Sequence, residues 1–214
     1  MKPNLTPLER QGAYIAISRL LAYPDAQLMS DLPLLRTVAG GLPADIREPL
    51  EEYLSVAESH SLLELQQHYV SIFDMKRRCC LYLSYYLNGD TRRRGMALWR
   101  FQETYQRAGW AIKNGELADY LPMLLEFAAS GPEEESVAVT LMQEHQEGLE
   151  VLLAALQRFD SETHLLISAL LRLLPELTPE QVAAAQTLIA QGPPTELVGF
   201  EPFSIEPTMI GARP

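Results

Sequence analysis

Cysteine is nearly absent: the 214-residue chain holds two, the neighbours Cys79 and Cys80. That is no disulfide framework, and it points to a reducing compartment. Long apolar runs are missing too. No window approaches the ~18 uninterrupted apolar residues that a membrane span needs. The opening MKPNLTPLERQGAYIAI has no signal-peptide core, so the expected location is the cytoplasm. Val and Ile are sparse and period-two alternation is scarce, which argues against sheets. Positive charge is short, with 17 Lys and Arg against 28 Asp and Glu, for a formal net charge of −11. Such a chain is a poor general binder of DNA or RNA, which relies on neutralising phosphates. It suits a basic partner such as a cationic peptide.

The catalytic inventory is equally thin. None of the four histidines, His60, His68, His145 and His164, pairs with another His or a Cys at metal-ligand spacing. HExxH, CxxC and phosphate-cradling glycine loops do not occur, and no serine stands in a nucleophile elbow. No catalytic residue, no metal and no resident cofactor is expected. The chain reads as a binding protein rather than an enzyme.

What is present is a helical pattern. Apolar residues make up 47% of the chain, enough for one sizeable domain. Thr6-Pro7-Leu8-Glu9 is a capping box opening a helix that buries Tyr14, Ile17, Leu20 and Leu21. A second helix is expected from Asp25 to about Val38 with Pro33 inside it, and a third from Ala44 to Glu58. Ser61 opens another, with Leu62, Leu65, Tyr69, Ile72 and Phe73 on one face. Leu81–Leu87 is aromatic enough for a strand but lacks a second strand to pair with, so a helix is expected. Asn88-Gly89-Asp90 is a turn, and a helix from Arg92 ends at Gly109. Asp119 is placed to cap a helix through Ala129, with Pro122 in its first turn. The longest helix is expected from Glu133 to Phe159, with His145 a satisfied core residue on its apolar stripe. His164–Leu174, apolar nearly all round, should be the central buried helix. Thr178 caps a last helix ending near Gly192. The sum is an all-α single bundle of about nine helices over residues 1–192, with a Pro- and Gly-rich tail, 193–214, extended or disordered.

One stretch stands apart. Tyr69–Gly109 carries eight of the 17 Lys and Arg in an otherwise acidic chain. It holds the run Lys76-Arg77-Arg78, the cysteine pair, the run LYLSYYL and a second basic run, Arg92-Arg93-Arg94. The cysteines read as small packed apolar groups, with a redox pair or a soft-metal site as the alternatives. The arginines have three readings: solvated surface, a structural cluster answered by carboxylates, or an anion site built on Arg77, Arg78, Arg92 and Arg94. Cations at a helix N-terminus oppose its dipole, so acidic groups or a bound anion should answer them. Farther on, Glu116-Leu117-Ala118-Asp119-Tyr120 sets two carboxylates and a phenol where a loop enters a helix. That arrangement suits the basic end of an amphipathic peptide.

FDMKRRCCLYLSYYLNGDTRRRGMALWRFQETYQRAG, followed by ELADYLPMLLEFAA, resembles the NarJ family, the delta subunits of respiratory nitrate reductase. ISRLLAYPDAQL is similar to that family's opening pattern, and beyond Ala129 the likeness is one of helical character. The resemblance implies the all-helical fold of redox-enzyme maturation chaperones and no catalysis. It implies that the N-terminal segment of the apo catalytic subunit of nitrate reductase is bound and held for insertion of a bis-molybdopterin guanine dinucleotide cofactor. Membrane docking is delayed meanwhile, and the chaperone is absent from the finished enzyme. Another molybdoenzyme client, or a nucleotide or cofactor phosphate bound at the arginines, are the alternatives. In the wider family a Pro-Asp-His stretch contributes to the peptide site. Ala118, Asp119 and Tyr120 stand there in this chain, without the Pro and His. Peptide contacts are therefore expected at Glu116, Asp119, Tyr120, Tyr82 and Tyr85, with Glu116 and Asp119 as rim charge.

Overall fold

In the computed structural model, residues 5–89, 91–112 and 115–192 are described. The expected turn residue Asp90 and the tail 193–214 lie outside them. The described residues form eleven α-helices and no strand; an isolated antiparallel bridge joins Tyr82 to Tyr120. The all-α reading holds. The helix count exceeds the expected nine, in part because the longest expected helix is two.

Several early helices start where a side-chain cap dictates. Thr6 and Glu9 close a reciprocal capping box ahead of α1 (Pro7–Leu21), which buries Tyr14, Ile17, Leu20 and Leu21 as the spacing predicts. The Asp25 carboxylate accepts from the Leu28 amide to open α2 (Ala26–Gly40), and the helix runs on through Pro33. Arg19 on α1 binds both Asp25 and Asp31, tying α1 to α2. Then come α3 (Ala44–Ser59) and the Ser61-capped α4 (Leu62–Tyr69). At Val70–Asp74 the helix widens into a π turn, and Arg77–Cys79 form a single 3₁₀ turn. Departures of this kind concentrate at functional segments.

The expected helix at Leu81–Leu87 is shorter and later: α5 spans Leu83–Asn88. Its leading residues are extended instead. The Leu83 amide donates to the Asp119 carbonyl at 3.0 Å, and the Leu121 amide to the Leu81 carbonyl at 2.9 Å. The pairing partner that the sequence did not reveal is the loop before α7. α6 (Arg92–Arg107) ends in a Schellman turn: Gly109 sits at φ +76°, and the Trp110 amide donates to the Tyr105 carbonyl at 2.8 Å. α7 (Leu121–Ala128) is almost wholly buried. Asp119 does not cap it; the cap position is Tyr120, whose side chain makes no capping bond.

The chain from Pro132 to Arg158 is broken at His145 into α8 (Pro132–Glu144) and α9 (Gln146–Arg158). His145 has φ −119° and ψ 15°, and its Nδ1 lies 2.9 Å from the Leu141 carbonyl. It is the satisfied core histidine expected, but it sits at a corner rather than mid-helix. The corner directs α9 onto α5 and α11. There Gly148 comes so close that a Cβ would stand 2.8 Å from that of Tyr86. α10 (His164–Leu173) is the central helix, flanked by α1, α3 and α9, with Arg172 its only exposed residue. α11 (Pro179–Gln191) opens with the Thr178–Gln181 capping box and packs on α9. None of these helices is long and apolar enough to cross a membrane.

Two histidines give the bundle an acid limb. Burial holds His145 below its ordinary value, opposed by its bond to the Leu141 carbonyl. Burial likewise holds His68 low, opposed by Glu162, while His68 Nε2 lies 2.9 Å from Ser161 Oγ. A histidine whose folded pKa is depressed takes up its proton more readily in the unfolded chain. Stability is therefore complete above the unfolded value near 6.5 and falls as the pH drops from there toward the folded values. Urea unfolding from pH 8 to pH 5 should show that decline, and His145→Gln should flatten it.

Candidate functional site

The bridge between Tyr82 and Tyr120 brings together residues that lie in separate segments of the sequence. Their rings sit 5.5 Å apart. The Tyr120 hydroxyl lies 3.3 Å from that of Tyr69 on α4. Tyr69 in turn meets Tyr23 edge-on at 5.2 Å and Phe73 at 4.8 Å. The result is a continuous aromatic face running from the end of α1 across the π turn to the start of α5. Tyr82, Tyr120, Tyr69 and Phe73 are half-buried, and Tyr23, Val70, Met75 and Leu117 around them are exposed.

Glu116 stands at the edge of this face. Tyr82 donates its hydroxyl to Glu116 Oε1 at 3.0 Å, and that oxygen also accepts from the Leu117 amide at 2.8 Å. Burial, then the carboxylate beside it, pushes the Tyr82 phenol well above its ordinary value. Burial does the same to Tyr120 and Tyr69. All three phenols therefore keep their protons in the physiological range. The face is neutral and hydrogen-bonding, with negative charge at one edge.

Asp119 is not at the rim. It is fully buried, and its carboxylate points back into the protein. Oδ2 accepts from the Ser84 amide at 3.0 Å and from the Ser84 hydroxyl at 2.5 Å. It caps α5, not the helix it precedes, because the bridge lays the two segments side by side. The Arg94 guanidinium approaches the same oxygen at 3.8 Å, with its centre 5.8 Å from the rings of both Tyr82 and Tyr85. That is an ion pair stacked against aromatic faces. It answers the cation at the N-terminus of α6 with an internal carboxylate, the structural reading of the basic run. Tyr85 is buried, so it serves as a wall for Arg94 rather than as accessible surface.

The other arginines go elsewhere. Arg78 donates from Nη1 to the Ile189 carbonyl at 3.2 Å, near the C-terminus of α11. Arg77 and Arg92 are exposed. Arg78 and Arg94 are thus held by different elements, and an anion cradle made of all four would require both to leave their partners. Cys79 is buried, with its thiol pushed up to about 11 by that burial, so it behaves as a packed apolar group. No cluster of His, Cys, Asp and Glu able to hold a metal occurs among the described residues. Tyr69 and Phe73 were legible in the sequence only as helix residues; their four-residue spacing put them on one face without showing that the face continues to Tyr120.

The model of the nitrate reductase delta subunit family matches residues 39–162, which span the whole Tyr69–Tyr120 site. The chain is also 32% identical over 170 residues to the probable nitrate reductase molybdenum cofactor assembly chaperone NarJ of Bacillus subtilis, covering 76% of this chain and 90% of that protein. This chain belongs to the NarJ family. The NarJ of Escherichia coli K12, named a nitrate reductase molybdenum cofactor assembly chaperone, is 32% identical over 162 residues, 74% of this chain and 68% of that protein. The nitrate reductase-like protein NarX of Mycobacterium tuberculosis H37Rv is 36% identical over 113 residues, a segment of 17% of its own length. The family match reaches past Ala129 to residue 162, farther than the motifs alone indicate. NarJ members carry names of assembly chaperones, a non-catalytic class, and this NarJ-family chain is not an enzyme.

The geometry separates support from surface. Asp119→Ala leaves the Arg94 charge without this carboxylate and the Ser84 donors without their acceptor. Such losses cost about 3–5 kcal/mol. Asp119→Asn, which keeps an acceptor for Ser84, should cost clearly less. Glu116→Gln at the rim should change stability by under about 0.5 kcal/mol. Urea unfolding of the three variants checks this order.

Proposed function

We propose that this chain is an assembly chaperone for respiratory nitrate reductase. In this reading its aromatic face receives the N-terminal segment of the apo catalytic subunit in the cytoplasm. The segment is held while the molybdenum cofactor is inserted, membrane docking is delayed, and the chaperone then leaves and is absent from the finished enzyme. The observation that supports this best is the half-buried face of Tyr82, Tyr120 and Tyr69, rimmed by Glu116 and lying inside the family match.

The chemistry suits the task. An amphipathic client helix would lay apolar side chains on the rings, and the neutral phenols would offer hydrogen bonds at their edges. Glu116, already accepting from Tyr82, would meet a basic residue of the client. The net charge of −11 draws such a segment in. Release is built in: a face of a few rings binds modestly and lets go quickly. Asp119, Arg94 and Tyr85 act beneath it by holding Tyr82 in place. Another molybdoenzyme client would use the same face and differ only in the segment bound.

Calorimetry with a synthetic N-terminal segment of the catalytic subunit tests the reading. Tyr82→Ala should weaken binding about 10-fold, the scale of a lost aromatic anchor of ~1.4 kcal/mol. Glu116→Gln should weaken it a few-fold, most at low salt. In cells, nitrate reductase matured with the Tyr82→Ala chaperone should contain less molybdenum. Full affinity and full molybdenum content in both variants would overturn the proposal.

A further inference from the structure

The outer side of α6 carries chemistry that the Tyr82–Tyr120 face does not use. Phe101 and Tyr105 are buried and fix the helix to the bundle. On its outer side Arg93, Arg100 and Arg107 recur every seven residues, which sets them in one line along the helix. All three are exposed, and the line is about 21 Å long. Beside it project Met96 and Trp99, 68% and 54% exposed. α6 holds five arginines and one carboxylate, Glu103, in a chain of net charge −11. Arg100 pairs with Glu144 at 3.0 Å and Arg107 with Glu103 at 2.7 Å. A guanidinium has five N–H donors, so one carboxylate leaves others for a second anion. Arg93 and Arg100 also wall an open groove of about 420 Å³ between α6 and the corner of α8 and α9, with Glu144 at its edge and Phe101 and His145 lining it.

From these observations we infer that the outer side of α6 docks reversibly on an anionic phospholipid surface. The arginines meet lipid phosphates, which their planar forks bind bidentately, and the groove receives a headgroup. Trp99 and Met96 rest at the boundary of headgroups and acyl chains, a depth that indole rings favour. A helix lying in the plane of the surface presents the whole line at once. An acidic protein segment would answer the arginines alone; the exposed indole and thioether among them are what a lipid interface takes in addition. The acidic charge elsewhere on the chain is screened beyond about 8 Å at physiological salt, so it does not cancel the arginines at contact. Attachment stays weak because the apolar part is two side chains, and no described helix is long and apolar enough to cross the bilayer. None of these residues belongs to the Tyr82–Tyr120 face, so the lipid contact does not rest on the client reading.

Co-sedimentation of the full chain with vesicles tests this, using phosphatidylcholine alone and phosphatidylcholine with a third of phosphatidylglycerol. The chain should bind the anionic vesicles about 10-fold or more tightly than the neutral ones at low salt and lose that preference at high salt. Tryptophan fluorescence should shift to the blue on binding, and Trp99→Phe should remove the shift. Arg93→Gln/Arg100→Gln/Arg107→Gln should weaken binding about 10-fold or more. Glu103→Gln, which removes the one carboxylate of α6, should strengthen it a few-fold, a gain that no loss of folding can imitate. Equal binding to both vesicles, or to neither, overturns the proposal. So does binding to anionic vesicles that the triple arginine variant leaves unchanged, which places the contact elsewhere. Arginine-dependent binding of a poly-glutamate peptide with no binding to vesicles assigns the surface to an acidic protein segment and overturns the lipid contact.

Discussion

A single buried carboxylate organises the candidate site of this molecule. Asp119 lies beneath the surface, accepts two hydrogen bonds from Ser84 and faces the Arg94 guanidinium. Through it the loop before α7 is joined to the start of α5 and to the first turn of α6. Each partner depends on the others. The Ser84 donors need an acceptor, the carboxylate needs a cation, and the cation needs a carboxylate at a helix end that disfavours positive charge. The bridge between Tyr82 and Tyr120 follows from this clasp, and so does the aromatic face.

This arrangement divides labour between residues adjacent in sequence. Asp119 is wholly buried and Arg94 largely so, whereas Tyr120, one residue from Asp119, and Tyr82, two residues from Ser84, are half-buried at the surface. Glu116 completes it with a charge that is half in solvent and half committed to Tyr82. A rigid base beneath a neutral, modestly sticky face fits the proposed cycle of holding a client and releasing it. Arg94, in the first turn of α6, thereby has an internal structural role.

Much of the fold could be read from the chain. The capping boxes at Thr6, Ser61 and Thr178 act as local signals, so the helices they open begin where the sequence says. The burial of Tyr14, Ile17 and Leu21 follows from helical spacing alone. Other features depend on residues far apart. An Asp before a helix reads as its cap, and only the tertiary bridge turns Asp119 toward Ser84, 35 residues earlier. The break at His145 has no glycine or proline to announce it; packing of Gly148 on Tyr86 accompanies the change of direction. The site was half legible for the same reason. Its residue types and the acidic rim were visible, but which carboxylate lay inside was not.

The central claim is that the face held up by Asp119 is where the client lies. Photo-crosslinking tests it most directly, with a benzoylphenylalanine placed in turn at Tyr82, Tyr120 and the exposed Trp99 of α6. The account predicts adducts to the N-terminal segment of the apo catalytic subunit from positions 82 and 120 and none from 99. Adducts from 99 alone, with positions 82 and 120 silent in folded protein, would contradict it.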